Sequence, residues 1–196
     1  LAALKAIVDS GVQPLIDCHP LFTITEETGS GAAAALPWDV SEFVGIDIAP
    51  VAPGQHSSEH AVSVAMQDSG GPYDYHLSRH LLHLASEHEL PVRRDMFRYY
   101  FSDAHSAVAA GHDIRCALLA FGCDATHGYE RTHIDSLAAL SRLLGAYILS
   151  PPVFASDAQP AQGSLDRFSH QIEHDAQMES DTRVPSVESL MGDNRN

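Results

Sequence analysis

Apolar residues at Leu1, Leu4, Ile7 and Val8 recur at helical spacing and stop before Gly11, which predicts a helix over residues 1–10. The pattern then changes period. Phe22 followed by the β-branched run Thr23, Ile24 and Thr25 predicts a strand, and Gly29-Ser30-Gly31 ends it in a turn. The small residues from 31 to 36 start a short helix that Pro37 closes. Residues 43–48 form a mostly apolar run of the kind buried on both faces of a parallel sheet, and 61–66 and 114–121 read the same way. Residues 68–72 are a turn, 92–101 a further strand, and 102–110 a small helix. Two longer stretches are amphipathic helices. Residues 73–89 place Leu77, Leu81, Leu84 and Ala85 on one face ahead of Pro91, and residues 134–149 repeat the pattern. Strands alternating with helices predict an α/β fold: a mixed, largely parallel sheet flanked by helices.

Composition alters this picture at one end only. After Pro151-Pro152 aromatic residues become scarce, and residues 155–196 carry eight acids against three basic residues with no sustained period. That segment reads as a disordered acidic tail, leaving residues 1–154 as the folded part. The 196 residues are 44% hydrophobic, enough for a core, with no apolar run near the length of a membrane span. A net charge of −15 argues against nucleic acid and anionic membranes as partners, since both require basic surface. Cys18, Cys116 and Cys123 form no CxxC pair, so neither a disulfide framework nor a cysteine-rich zinc site is expected, and the location expected is cytoplasmic. The chain starts without Met inside a helical pattern, which suggests a fragment.

The chemistry concentrates in a few loops. Glu26 and Glu27 follow the first strand, Asp47 lies near the end of the second, and His133 precedes the last helix. In an open α/β sheet, loops at the carboxyl ends of strands share one crevice. Carboxylate and imidazole donors suit zinc, cobalt or manganese, and a carboxylate left off the metal can act as a general base. His76, His80 and His83 also recur on one helix, but without an acidic or cysteine partner they read as an exposed stripe. Gly29-Ser30-Gly31 is not a nucleophile elbow, which argues against a serine hydrolase.

Taken in order, the run from Phe22 to Gly29, then Gly45-Ile46-Asp47-Ile48, Ser102-Asp103-Ala104 and Tyr129-Glu130-Arg131-Thr132-His133 resemble the tetrahedral aminopeptidase family. These are dinuclear metallo-aminopeptidases that include glutamyl and deblocking enzymes, and the resemblance covers residues 1–153. It implies that Glu26 is the general base, Glu27 a ligand of one ion together with His133, and Asp47 a ligand of the other. Asp103 falls in a motif where the family has Gly before Thr-Asp-Ala and this chain has Phe101 before Ser102, and the resemblance implies a supporting role for it. The resemblance further implies two divalent ions, zinc or cobalt, per subunit, peptide substrates, homo-oligomeric assembly, and a further His and a bridging Asp upstream of Leu1. The reaction implied is removal of the N-terminal residue of a peptide by water activated at the metal pair. A zinc deacylase or carboxypeptidase of the same superfamily and a non-catalytic scaffold are the alternatives.

Overall fold

The structure, a computed structural model, describes residues 1–37 and 39–154. The acidic segment 155–196 lies outside them. In chain order the elements are α1 (Ala2–Ser10), β1 (Glu42–Pro50), β2 (Val62–Asp68), β3 (Gly71–Pro72), α2 (Tyr75–Glu87), β4 (Val92–Met96), α3 (Asp103–Ala109), β5 (Arg115–Cys123) and α4 (Ile134–Leu149). Short 3₁₀ turns cover Glu26–Thr28 and Ala32–Ala34.

The sheet runs β1-β5-β2, with β4 on the far side of β2 and the two-residue β3 closing a hairpin at its end. β1 is parallel to β5 and β2 to β4, whereas β2 meets β5 antiparallel, Val62 opposite Phe121. The sheet is therefore mixed, as the alternating pattern predicts. The antiparallel step brings the start of β2 beside the carboxyl ends of β1 and β5.

Strand alternation divides the core in two. Val62 and Val64 of β2 and Ala117 and Leu119 of β5 face α2 and α4, packing on Leu77, Leu81, Ala139 and Leu143. The opposite face carries Ala49, Ala65, Leu118 and Ala120, which pack on Phe97 and on Ala104 of α3. Asp47 shares strand parity with Gly45 and Ala49, and a Cβ at Gly45 would meet Leu118, Ala104 and Ser102. Asp47 therefore belongs to the α3 face. The helices obey ordinary capping chemistry: Asp74, Ser102 and His133 each accept a backbone N–H at the N-terminus of α2, α3 and α4. Among the described residues no helix is long and apolar enough to cross a membrane.

Two expected elements differ. Residues 22–25 form no strand. Phe22 and Ile24 are 71% and 98% exposed, and the segment runs into the 3₁₀ turn at Glu26. β-branched residues favour a strand only when a neighbouring strand supplies hydrogen bonds and packing. The strand at 92–101 stops at Met96, after a register shift opposite Ala65 to Gln67.

Candidate active site

The glutamate pair sits on a loop held by α3. Glu26 and Glu27 form the first turn of the 3₁₀ element, which Gly29 closes in the left-handed region at φ 76°. Three contacts fasten the following residues. Asp103 Oδ1 accepts the Ala32 N–H at 2.7 Å, Ser106 Oγ donates to the Gly29 carbonyl at 3.0 Å, and a His112 ring nitrogen lies 3.2 Å from the Ala33 carbonyl oxygen. Asp103 thus positions the loop through the backbone of Ala32. Gly31 is required by close approach: a Cβ there would lie 2.5 Å from Asp103 Oδ2 and 2.6 Å from Thr23 Cβ.

A buried network supports α3 from behind. Asp68 receives the Tyr73 hydroxyl, the Gly70 N–H and the Ser102 N–H, and its Oδ1 lies 2.6 Å from His105 Nδ1. The Tyr73 hydroxyl also lies 2.8 Å from Ser102 Oγ. Burial, and then the hydrogen bond to Asp68, push the Tyr73 phenol well above its usual range, so it stays a neutral donor.

The electrostatics show which groups share a neighbourhood. Burial raises the Glu26 carboxyl above its ordinary value, and the charges of Asp47, Glu27 and Asp103 raise it further, while His127 opposes them. Asp47 is raised by burial too, against a 2.7 Å hydrogen bond from the Ile48 N–H, and again Glu27, Asp103 and His127 act on it. Glu27, Asp103 and His127 thus act electrostatically on both Glu26 and Asp47, on the side of the sheet that carries α3. Glu27 is exposed, and His127 Nε2 lies 3.9 Å from its Oε2. Hard carboxylate oxygens that raise one another's proton affinity are donors of the kind that suits divalent cations.

His133 keeps different company. It is the N-cap of α4, and its Nδ1 lies 3.1 Å from Asp135 Oδ2, while its ring stands 4.3 Å from that of His60. His127, which adjoins Glu27, and His60, which adjoins His133, are the two imidazoles that sequence reasoning missed. His127 carries one signal, a loop with positive φ at Ala125 (55°) and His127 (61°) flanked by Gly128. Among the described residues the His76, His80 and His83 stripe gathers no metal-ligand group. A His80 ring nitrogen lies 2.9 Å from Ser150 Oγ, and the His76 ring packs edge-on against Phe154.

A family model for M42 glutamyl aminopeptidases matches residues 1–143. The chain is 39% identical over 135 residues to a Bacillus subtilis (strain 168) protein named as an aminopeptidase, YhfE, a match covering 69% of this chain and 39% of that protein. Aminopeptidase APDkam598 from the archaeon Desulfurococcus kamchatkensis superposes with TM-score 0.63 at 18% identity, over 84% of this chain and 49% of that one. The Pyrococcus horikoshii TET1 peptidase, which can assemble into a tetrahedron or a large octahedral shell, superposes with TM-score 0.57 at 16% identity, over 66% and 40%. These two likenesses show the fold. The chain spans less than half the length of each of the three proteins.

Proposed function

The chain belongs to the M42 glutamyl aminopeptidase family, and from that premise we propose that it supplies the general base and part of the metal-ligand set of a metal-dependent aminopeptidase. The observation that supports this reading is that Glu27 and Asp103 act electrostatically on both Glu26 and Asp47, whose carboxyls burial also raises. In this reading Glu27 and His133 hold one ion, zinc or cobalt, and Asp47 holds the other. Such ions, when bound, polarise a peptide carbonyl and make water more acidic.

The remaining chemistry falls to the chain's own groups. Glu26 takes the proton of the attacking water on a carboxylate oxygen and returns it to the departing amine. Its raised basicity suits that task, since burial and like charges make a carboxylate a better proton acceptor. Asp103 holds Glu26 in place indirectly, through Ala32 and the 3₁₀ turn. The substrate is then a peptide with a free N-terminus. We assign the protein to the cytoplasm and to a self-assembling oligomer, the latter by analogy with the TET1 shells.

The test separates the two adjacent glutamates in a polypeptide of the relatives' length that carries this chain. Glu26→Gln should retain metal while turnover of a free-amine aminoacyl substrate falls roughly 10²–10⁴-fold. Glu27→Gln should lose metal first and activity with it. Loss of metal from Glu26→Gln with full activity in Glu27→Gln would reverse the roles.

A further inference from the structure

The turn that carries the two glutamates has an aromatic neighbour, Phe101. Gly29 closes that turn, its N–H donating to the Glu26 carbonyl at 2.7 Å. Against Gly29 lies the Phe101 ring: a Cβ at Gly29 would stand 3.4 Å from Cζ and 3.7 Å from Cε2. One edge of the ring thus touches the glutamate turn, while the residue stays 47% exposed. A phenylalanine left half open beside a general base presents apolar surface where a substrate arrives.

The backbone around this ring is fixed from both sides. The Tyr100 carbonyl accepts the Ser69 N–H at 3.0 Å, and Ser102, the residue after Phe101, caps α3. Tyr100 stacks on the buried Phe97, ring centroids 5.1 Å apart at 20°. Burial, and then the charges of Asp47, Asp95 and Asp68, push its phenol well above the usual range, so Tyr100 offers an uncharged surface. The pair is therefore set in place without the ordering cost of a mobile wall. Arg98 and Tyr99 of the same loop line a different cleft, with Pro53, His56 and Arg94.

Position and charge together identify the occupant. In the proposed reaction the attacked carbonyl belongs to the first residue, whose side chain leaves from the adjoining carbon and so lies nearest the base. Beyond burial, the Glu26 carboxyl is raised by the charges of Asp47, Glu27 and Asp103, with His127 opposing them. An acidic side chain meets repulsion there, whereas an apolar one displaces water from the Phe101 ring. We propose that Phe101 and Tyr100 form the wall that receives the side chain of the substrate's N-terminal residue. That residue is apolar, leucine or phenylalanine, rather than glutamate. The inference rests on the reading that Glu26 is the general base, and it adds the substrate class.

The test uses the zinc-loaded polypeptide of the relatives' length that carries this chain, with free-amine aminoacyl anilides. The parent should cleave leucyl and phenylalanyl anilides with a kcat/KM roughly tenfold or more above that for the glutamyl one. Phe101→Ala should lower the leucyl-to-alanyl ratio of kcat/KM roughly tenfold or more, and Phe101→Leu should restore most of it. A ratio taken on one preparation is independent of the folded fraction, so a purely structural effect leaves it unmoved. Read by calorimetry in the Glu26→Gln background, the affinity of leucine amide relative to alanine amide should fall with Phe101→Ala as well. A parent that prefers the glutamyl anilide, or a ratio that Phe101→Ala leaves unchanged, overturns the proposal. The two readings fail separately. If Glu26→Gln suppresses turnover while Phe101→Ala leaves the ratio unchanged, the base stands and the wall falls. If Phe101→Ala shifts the ratio while Glu26→Gln keeps full turnover, the wall stands and the base falls. A parent that cleaves none of the anilides defeats both.

Discussion

At the scale of single residues, Gly31 shows how tightly the glutamate loop is seated. Any side chain there meets the Asp103 carboxylate and Thr23 at under 3 Å, so Gly31→Ala forces either the loop or the head of α3 to move. Overpacking of this kind costs about 1–3 kcal/mol. The expected outcome is a lower urea midpoint together with weakened activity in the relatives-length polypeptide, because the displaced loop carries Glu26 and Glu27. An unchanged midpoint would mean that Thr23 and Asp103 yield freely. Asp95 makes a second residue-scale case. It is 5% exposed, and its Oδ2 accepts the His56 and Ser57 N–H groups and the Ser57 hydroxyl while Oδ1 accepts the Met96 N–H. Burial pushes its carboxyl up, but these four donors outweigh burial and hold it below the ordinary carboxylate value. A depressed folded-state value stabilises the fold above the unfolded value of about 3.9 and loses that contribution as pH falls through the folded value. Asp95→Asn should therefore cost about 1–3 kcal/mol at neutral pH, and the deficit should shrink below about pH 4. A deficit that stays constant in acid would contradict the charge-based account.

At the scale of elements, the sequence located most of the fold because buried periodicity is local information. The helix predicted at 134–149 matches α4, the apolar run at 43–48 lies within β1, and the runs at 61–66 and 114–121 each begin one residue before β2 and β5. Residues 22–25 misled for a physical reason: their β-propensity finds no partner strand, and exposure of Ile24 shows that nothing packs on it. The candidate site was legible in part. Glu27 acts electrostatically on Glu26 and Asp47, and Asp103 does so too, whereas His133, which the crevice argument grouped with the glutamates and Asp47, stands beside His60 and Asp135. His60 and His127 were not legible, because their neighbours depend on the antiparallel β2–β5 register and on a loop with positive φ, neither of which has a sequence period. Ser136 links the elements at this point, joining β5, β2 and α4 through one buried hydroxyl. Ser136→Ala leaves the Gly122 N–H and the Ala61 carbonyl unpaired, a loss of about 1–3 kcal/mol. The expected outcome is a lower urea midpoint for Ser136→Ala. An unchanged midpoint would show that water satisfies both groups in the variant.

At the scale of the whole chain, ligand count governs what these 196 residues can do. Zinc sites take three or four protein ligands each, catalytic ones three with an open position. In the proposed reading Glu27 and His133 serve one ion and Asp47 the other, while Asp103 is committed to the Ala32 N–H. Each ion is therefore under-coordinated by these residues alone. The acidic surface adds only weak, screened attraction for cations, since a net charge of −15 spread over the chain places no fixed donors around an ion. After dialysis against a weak chelator the chain should retain fewer than two zinc equivalents, and it should not hydrolyse an aminoacyl anilide at any zinc concentration that leaves it soluble. The paired measurement is elemental analysis beside initial rates. Retention of two equivalents would mean that Glu27 and Asp47 recruit a third ligand from within the chain, with His127, the imidazole already beside Glu27, the first to substitute. Turnover with only one ion bound would mean that Glu26 works without the dinuclear arrangement, and the proposed division of roles between the two glutamates would have to be replaced.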